Sequence, residues 1–344
     1  MKIKKSIVTK DIQKYQLNAE IIETHTPIAG DVGIFEVITL GRHESIQGED
    51  KRNLAIFEKD YIMAAFADRY ATSQFEGYVP SSPMDLYDIL GAGGAIGVVK
   101  SKNYSLKDVE PTKIRLVGYC CDDTGKVINT KWYHKQRVRF SGIVPNNAKV
   151  ILSIGSTMDS GKTTTAAHVA RGLKSTGKKV AFIKFTGTCY TKDKDFVFDC
   201  GADVSIDFSD MGFPSTYMCE KEDLLDLYQS LLAKLSAEKP DFIVMEIADG
   251  LMQRETNFLL KSKKFMSTIH SVVFSCGDSL SAFQGYDILQ QWGIIPTVIS
   301  GRFTMSPLLI EEVKNNCAAP VLTIDQIMTG EFNNLIIAPS LVAA

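Results

Sequence analysis

The chain has 344 residues, of which 45% are hydrophobic and 23% charged, and its 38 Lys and Arg against 40 Asp and Glu give a net charge of −2. This composition is typical of a soluble globular protein and excludes a disordered, collagen-like or disulfide-scaffold chain, while the balanced charge argues against a large nucleic-acid footprint. No apolar run approaches the ~20 residues that a membrane span needs, and the basic N-terminus lacks the apolar core of a signal peptide. Seven cysteines without a C-x-x-C pair predict free thiols in a reducing, cytoplasmic compartment.

Residues 1–147 are predicted to form a β-rich domain, a barrel or a sandwich, because short alternating or β-branched runs are separated there by turn signals. The predicted strands are 32–40, 53–57, 61–66, 95–99, 114–119 and 127–132. Residues 84–90 have helical spacing. The glycine-rich run 91–97 is interpreted as a turn or bulge, since it lies between a helix and a strand, the reverse of the order that a dinucleotide-binding motif needs.

From residue 148 to 344 the pattern changes to apolar strands that alternate with amphipathic helices. The predicted strands are 150–154, 180–184, 242–246, 271–275, 297–300 and 321–324. The predicted helices are 162–174, 221–235, a region near Phe258, 286–292 and 306–315. Such alternation predicts βαβ crossovers and a parallel sheet covered by helices on both faces. The fold class is therefore α/β, with a parallel-sheet domain following the smaller β-rich one.

A glycine-rich loop directly follows the first strand of this second domain and runs into a helix, which is the order that a phosphate-binding loop, or P-loop, requires. Its glycines let successive N–H groups converge on a phosphate, and the helix N-terminus adds its dipole. In such a loop Lys162 reaches the β- and γ-phosphates, and the Thr163 hydroxyl ligates Mg²⁺. The predicted nucleotide-binding residues are Gly155, Thr157, Asp159, Ser160, Gly161, Lys162, Thr163 and Thr164.

The spacing of the loop departs from the common G-x-x-x-x-G-K-[ST] pattern, because Ser156 stands where the first glycine usually lies. Read as G-x-T-x-D-x-G-K-T, it resembles the loop of dethiobiotin synthetase and its relatives among the deviant P-loop proteins. This resemblance extends over about residues 150–300 and implies a P-loop NTPase domain. Many of those relatives are dimers, so it also implies a possible homodimer.

The ends of two further strands carry charged residues for which the resemblance implies a role. Relatives have a lysine at the end of the second strand that is directed at the substrate and the transferred phosphate, which implies a catalytic role for Lys184 beside Lys162. The strand 242–246 ends in Glu246, and in these relatives such an acid often serves Mg²⁺. The alternative is that Glu246 simply caps the next helix.

An acidic stretch, residues 188–203, follows the second strand and is similar to that of the molybdopterin-guanine dinucleotide adaptor proteins. A carboxylate in it could complete the Mg²⁺ shell, since hard cations prefer oxygen ligands. Asp195 and Asp199 are the candidates, and the alternative is that both are exposed loop carboxylates. The polar and aromatic segment 207–217 is predicted to be a long loop that forms a substrate wall or lid.

Further candidates for substrate recognition lie at the carboxyl ends of the predicted strands, where open α/β sheets bind ligands. Asp278 and Arg302 could each contact substrate or be surface turn groups. The weaker candidates of this kind are Thr186, Asp249, Asp278 and Arg302.

We expect Lys162, Thr163, Lys184 and Glu246 to surround a γ-phosphate. This arrangement favours an ATP- and Mg²⁺-dependent enzyme that phosphorylates or activates a small-molecule acceptor such as a carboxylate. The absence of an Asn/Thr-Lys-x-Asp motif favours adenine over guanine. Three alternatives stay open: a nucleotide switch that acts through a protein partner, an N-acetyltransferase that holds acetyl-CoA phosphates in the P-loop, and a polynucleotide 5′-kinase. Each of the last two is suggested by similar proteins rather than by the residues.

Overall fold

The computed structural model describes residues 2–133 and 137–337, and these form two compact units. The first unit contains the described residues up to Arg137 together with segments 187–191 and 208–218. The second contains residues 138–186, 192–207 and the described residues from Cys219 onward. Two segments from the region that was expected to form the second domain therefore pack with the first unit.

The first unit is built almost entirely of strands. These are β1 (Ile3–Lys5), β2 (Gln16–Asn18), β3 (Val32–Thr39), β4 (Ser45–Gln47), β5 (Asn53–Ala55), β6 (Tyr61–Phe66), β7 (Phe75–Tyr78), β8 (Tyr87–Gly91), β9 (Ala95–Lys102) and β10 (Lys113–Cys121). One short helix, α1 (Thr130–Tyr133), ends its first continuous segment. The β-rich prediction is confirmed.

Five of these strands close into a ring, which decides for the barrel over the sandwich. Antiparallel pairs join β6 to β3, β3 to β10, β10 to β8 and β8 to β9, and the parallel pair β6–β9 completes the circle. Apolar side chains fill its interior, among them Phe35, Phe66, Tyr87 and Tyr119. Phe66 lies 5.1 Å from Tyr87 between ring centroids in an edge-to-face contact, an arrangement that aromatic pairs prefer.

Two predicted elements of the first unit are wrong. The helix expected at 84–90 is the strand β8, whose five residues are all buried between β9 and β10. A short run buried on both faces has no periodicity that separates strand from helix. The strand expected at 127–132 is reduced to two isolated bridges, Cys121 with Val127 and Asp31 with Asn129, followed by α1. The glycine-rich run is a turn between β8 and β9, as predicted, with Gly94 at φ +98°.

The second unit alternates strands and helices. Its strands are β11 (Lys149–Gly155), β12 (Val180–Lys184), β13 (Val204–Asp207), β14 (Phe242–Glu246), β15 (Ser271–Ser275) and β16 (Val298–Ser300). Its helices are α2 (Lys162–Ser175), α3 (Lys192–Asp199), α4 (Lys221–Leu235), α5 (Arg254–Lys261), α6 (Lys263–Met266), α7 (Ser279–Gln291), α8 (Pro307–Asn316), α9 (Ile324–Met328) and α10 (Glu331–Ile337).

All six strands form one parallel sheet in the order β13-β12-β14-β11-β15-β16. The carboxyl ends of β12, β14 and β11 are therefore neighbours, which brings the lysine, the glutamate and the glycine loop of the sequence prediction to one edge. Strands β14 and β15 are buried along their whole length, and β11 is buried except at its first residue, Lys149, as expected for a sheet covered on both faces. The α/β class is confirmed.

The sequence prediction missed α3 and β13 and was wrong about one strand. No element is predicted for the acidic stretch 188–203, yet it contains the two-turn helix α3, and the strand β13 that follows pairs with β12. The strand expected at 321–324 is a single bridge between Ile299 and Val321, because Thr323 caps α9 with its side chain. Among the described residues, no helix combines the length and the apolar character needed to cross a membrane.

Candidate phosphate-binding site

The glycine-rich loop connects β11 to α2 and has the conformation of a phosphate cradle. Gly161 adopts φ +98° immediately before the first helical residue, Lys162. A Cβ atom at Gly155 would lie 2.2 Å from Ser160 Oγ and 2.7 Å from Lys162 Cγ, so a glycine is needed where the lysine folds back over the loop. The first N–H groups of α2 have no intrahelical partner and face the loop with the positive end of the helix dipole.

Lys162 is nearly buried, with 7% of its surface exposed, and its Nζ donates to the carbonyl oxygen of Thr157 at 2.8 Å. The ammonium group therefore lies across its own loop. Burial lowers the pKa of Lys162, although the charges of Glu246 and Asp249 act in the opposite direction. A bound phosphate would supply the negative charge that stabilises this buried ammonium.

A buried carboxylate lies beside the loop at the end of β14. Glu246 is 0% exposed, and its Oε1 accepts a hydrogen bond from Thr163 Oγ1 at 2.9 Å. Its other oxygen, Oε2, has no hydrogen-bond partner among the described residues. A fully buried carboxylate oxygen without a partner is costly, and a divalent cation bound by Thr163 and Glu246 would satisfy it. These two residues fit Mg²⁺, the predicted metal.

Lys184 completes this charged cluster from the end of β12. Its Nζ donates to Glu246 Oε1 at 2.6 Å and also pairs with Asp193 Oδ2 at 2.6 Å. Burial by itself would lower the pKa of Lys184, but the two carboxylates outweigh it and raise this pKa. The lysine is therefore held as an ammonium ion, with its side chain 12% exposed.

Asp193 was missed in the sequence, and the helical form of its segment explains why. It is the second residue of α3, and burial followed by the Lys184 charge sets its pKa, with the net result that the pKa is lowered. The predicted acids Asp195 and Asp199 are two and six positions further along the helix, roughly 200° and 240° around its axis from Asp193. Asp199 is exposed. Thr163 and Lys184 contact Glu246, and a metal role for Asp195 and Asp199 stays a prediction.

A second loop, which follows β14, packs against the P-loop. A Cβ atom at Gly250 would lie 2.4 Å from the carbonyl oxygen of Ser156 and 2.8 Å from Thr157 Cα. Asp249 adopts φ +62°, an uncommon conformation for a residue other than glycine. Its charge acts on Lys162, so Asp249 lies close enough to this lysine to influence a phosphate held there.

The remaining predicted residues have more varied positions. Thr186 is buried, and its hydroxyl accepts from the amide of Ala248, a contact that fixes the loop after β14. Asp278 accepts from the amide of Ser281 as the N-cap of α7, which is a structural use of the side chain. Arg302 lies against the back of the P-loop: its amide donates to Ser160 O at 3.2 Å and its Nη1 to Asp159 O at 3.4 Å.

Within the loop itself, the predicted residues differ in exposure. Thr157, Asp159 and Thr164 are exposed, whereas Ser160 is buried with an Oγ that has no partner among the described residues. Asp159 adopts φ +60°. Over the described ranges 2–133 and 137–337, no three His, Cys, Asp or Glu side chains cluster as a metal site, so a cation here would depend on one hydroxyl, one carboxylate and ligand oxygens.

Comparisons with known proteins add little to this geometry. No protein-family model matches the sequence, and no curated protein matches it. Among solved structures, FtsY from Mycoplasma mycoides is similar at 15% identity and TM-score 0.38, over 58% of this chain and 70% of that one. A ParA-family ATPase from Chlorobium tepidum gives 12% and 0.35, over 57% and 93%. The hydrogenase maturation factor HypB from Archaeoglobus fulgidus gives 10% and 0.36, over 55% and 91%. These scores and identities are too low to carry an argument about function.

Proposed function

We propose that the second unit binds ATP with Mg²⁺ and transfers the terminal phosphoryl group to a small-molecule acceptor, or uses it to activate that acceptor. One observation carries the proposal. Thr163 and Lys184 converge on the same oxygen of the buried Glu246, beside a glycine loop across which Lys162 is folded. Phosphoryl transfer depends mainly on positioning and on cations around the transferred group, and this edge of the sheet supplies both.

In the proposed reaction an acceptor oxygen attacks the terminal phosphorus, the new P–O bond forms, and the bond to the β-phosphate oxygen breaks. ADP leaves with the electron pair of that bond. Lys162 and Lys184 stabilise the negative charge on the equatorial oxygens. Thr163 and Glu246 would hold the metal ion, whose chemistry is to neutralise charge on the β- and γ-phosphates.

A carboxylate is the acceptor that the sequence resemblance supports best, since dethiobiotin synthetase and its relatives activate such groups. Transfer to a carboxylate gives an acyl phosphate, which reacts readily with an amine. Asp193 belongs to this cluster through Lys184, and we propose it as a positioning residue that orients the lysine between acceptor and phosphate.

Calorimetric binding of ATP, GTP and acetyl-CoA, each with and without Mg²⁺, tests the proposal. We expect ATP to bind only with Mg²⁺, and Lys162→Ala to weaken this binding by at least about ten-fold, because a charge-assisted hydrogen bond to phosphate is lost. The control variant is Lys314→Ala, an exposed lysine of α8 that is paired only with Glu311.

Other outcomes would overturn the proposal. Tight acetyl-CoA binding that is indifferent to Mg²⁺ would assign the P-loop to an acyltransferase instead. Mg²⁺-dependent GTP binding without ATP binding would show that ATP is not the nucleotide of this site. Equal ATP affinity in Lys162→Ala and in the parent protein would reject the loop as the phosphate site.

A further inference from the structure

A cleft of about 560 Å³ opens in the second unit between the start of α4 and one face of α5. Its lining includes three cationic and two apolar side chains, those of Lys221, Arg254, Lys261, Met252 and Phe258. Both helices begin at the cleft, α4 with Lys221 and α5 with Arg254. Three cationic side chains and two helix N-termini therefore meet around one concave space.

The sequence of α5 explains why its cations face outward into the cleft. Arg254, Phe258 and Lys261 are spaced by four and three residues, which places them on one face of the helix. The opposite face is apolar and buried, with Leu259 and Leu260 almost fully covered. The packing of α5 onto the core thus fixes the direction of its charged face.

Two of the three cations lack an ion-pair partner in the described part of the chain. Among the described residues, neither Lys221 nor Lys261 forms an ion pair or a hydrogen bond. Each instead lies over an aromatic ring, Lys221 at 4.9 Å from the centroid of Phe258 and Lys261 at 4.8 Å from that of Trp292. Such contacts hold an ammonium group in place without neutralising it.

Arg254 differs, because it pairs with the buried carboxylate of Glu255 and donates to the carbonyl oxygen of Cys219 at 2.9 Å. This arrangement ties the segment before α4 to α5 and shapes the cleft. Glu255 thus compensates the charge of Arg254, whereas the two lysines form no ion pair among the described residues. Met252 and Phe258 provide an apolar wall beside them.

The cleft adjoins the P-loop through the loop after β14. Gly250 is in contact with Ser156 and Thr157, and Met252 lies only two residues later. The backbone from Gly250 to Met252 spans at most about 7 Å, so a short connection joins the wall of the cleft to the residue that contacts the P-loop.

We propose that this cleft binds a small organic anion with an apolar portion, held through its anionic oxygens by Lys221 and Lys261. Its role as the acceptor site rests on the proposed function, whereas the binding of the anion does not. Carboxylates and phosphates share the required chemistry, and the test separates them.

The test measures calorimetric binding of citrate and of inorganic phosphate at constant ionic strength in the Lys162→Ala protein, in which the P-loop competes less for anions. We expect saturable binding of at least one anion. In the same background the double variant Lys221→Gln/Lys261→Gln should weaken it by at least about ten-fold, since each lysine contributes a charge-assisted contact. The matched control, Lys263→Gln/Lys264→Gln, removes the same charge from the exposed face of α6 and should change nothing.

Binding of citrate alone supports a carboxylate ligand, binding of phosphate alone supports a phosphorylated one, and binding of both supports the anion site without choosing between them. Absence of saturable binding overturns the proposal, and so does equal weakening in the two double variants. Circular dichroism of each variant confirms that its fold is retained. If the anions bind but Mg²⁺-ATP does not bind to the parent protein, the proposed function fails while the anion site stands.

Discussion

At the scale of single residues, the site depends on how closely Lys162 approaches the backbone beneath it. The lysine side chain passes over Gly155 on its way to the carbonyl oxygen of Thr157. Glycine is therefore required at residue 155 for space rather than for an unusual φ angle. The sequence motif names both residues but does not show this contact between them.

We predict that Gly155→Ala reduces Mg²⁺-ATP affinity at least about ten-fold and lowers the melting temperature, because overpacking costs about 1–3 kcal/mol and displaces Lys162. Gly277→Ala is the matched control, as no atom lies within 4 Å of a Cβ added there. Calorimetry and thermal unfolding measure the two effects. Unchanged nucleotide binding in Gly155→Ala would show that binding does not require the Lys162 side chain to pass over residue 155.

At the scale of secondary-structure elements, α3 decides which acid of its segment contacts Lys184. The sequence indicated an acidic segment in the right place but not that it is helical, and the choice among its carboxylates depends on the helical turn. Because α3 presents one face to β12, Asp193 reaches Lys184. The identity of that acid could not be predicted without the helix register.

We predict that Asp193→Asn lowers the rate of ATP turnover by about ten-fold or more, since Lys184 loses one of its two carboxylate partners and its orientation. Asp199→Asn, an isosteric change at an exposed position of the same helix, should leave the rate unchanged. Steady-state kinetics with the acceptor found by screening measures the rates of both variants. A lower kcat with an unchanged KM indicates a positioning role for Asp193, whereas a raised KM indicates a role in binding. A larger loss of rate in Asp199→Asn than in Asp193→Asn would support the predicted metal role of Asp199 instead.

The same scale explains the errors in the β-rich unit. Strand β8 has apolar residues at helical spacing, yet it is sandwiched in the ring with every residue buried. Asp88, its second residue, pairs with Lys113 of β10 at 2.7 Å and accepts a hydrogen bond from the amide of Val99 in β9 at 2.8 Å, so neighbouring strands also bind its polar residue. These partners are distant in sequence and leave no local signal.

At the scale of the whole molecule, a buried histidine of the first unit contributes to the way stability depends on acid pH. Burial, followed by the charges of Arg69 and Arg42, lowers the pKa of His43 from 6.5 to about 4. The unfolded chain therefore binds more protons than the folded one between these two values. Stability from this group is fully present above the unfolded pKa and is lost as the pH falls through that range.

We predict that the free energy of unfolding of the first unit decreases by up to about 3 kcal/mol as the pH is lowered from about 7 to 4 through His43 alone. His43→Gln should flatten this part of the pH profile, because glutamine does not titrate. His168→Gln on α2 serves as the control and should keep the slope. Urea unfolding at a series of pH values measures it, and an unaltered slope in His43→Gln would assign the acid sensitivity elsewhere.

The sequence by itself determined the α/β class of the second unit, the β-rich class of the first, and the glycine loop between β11 and α2. It also indicated the charged ends of β12 and β14, because these features are written in contiguous residues and in local periodicity. Only the tertiary structure decided the strand order that makes Lys184, Glu246 and Thr163 neighbours, the choice of Asp193, and the cleft beside α5. Those depend on contacts between residues far apart in the chain, and such contacts follow from packing and hydrogen bonding rather than from local propensity.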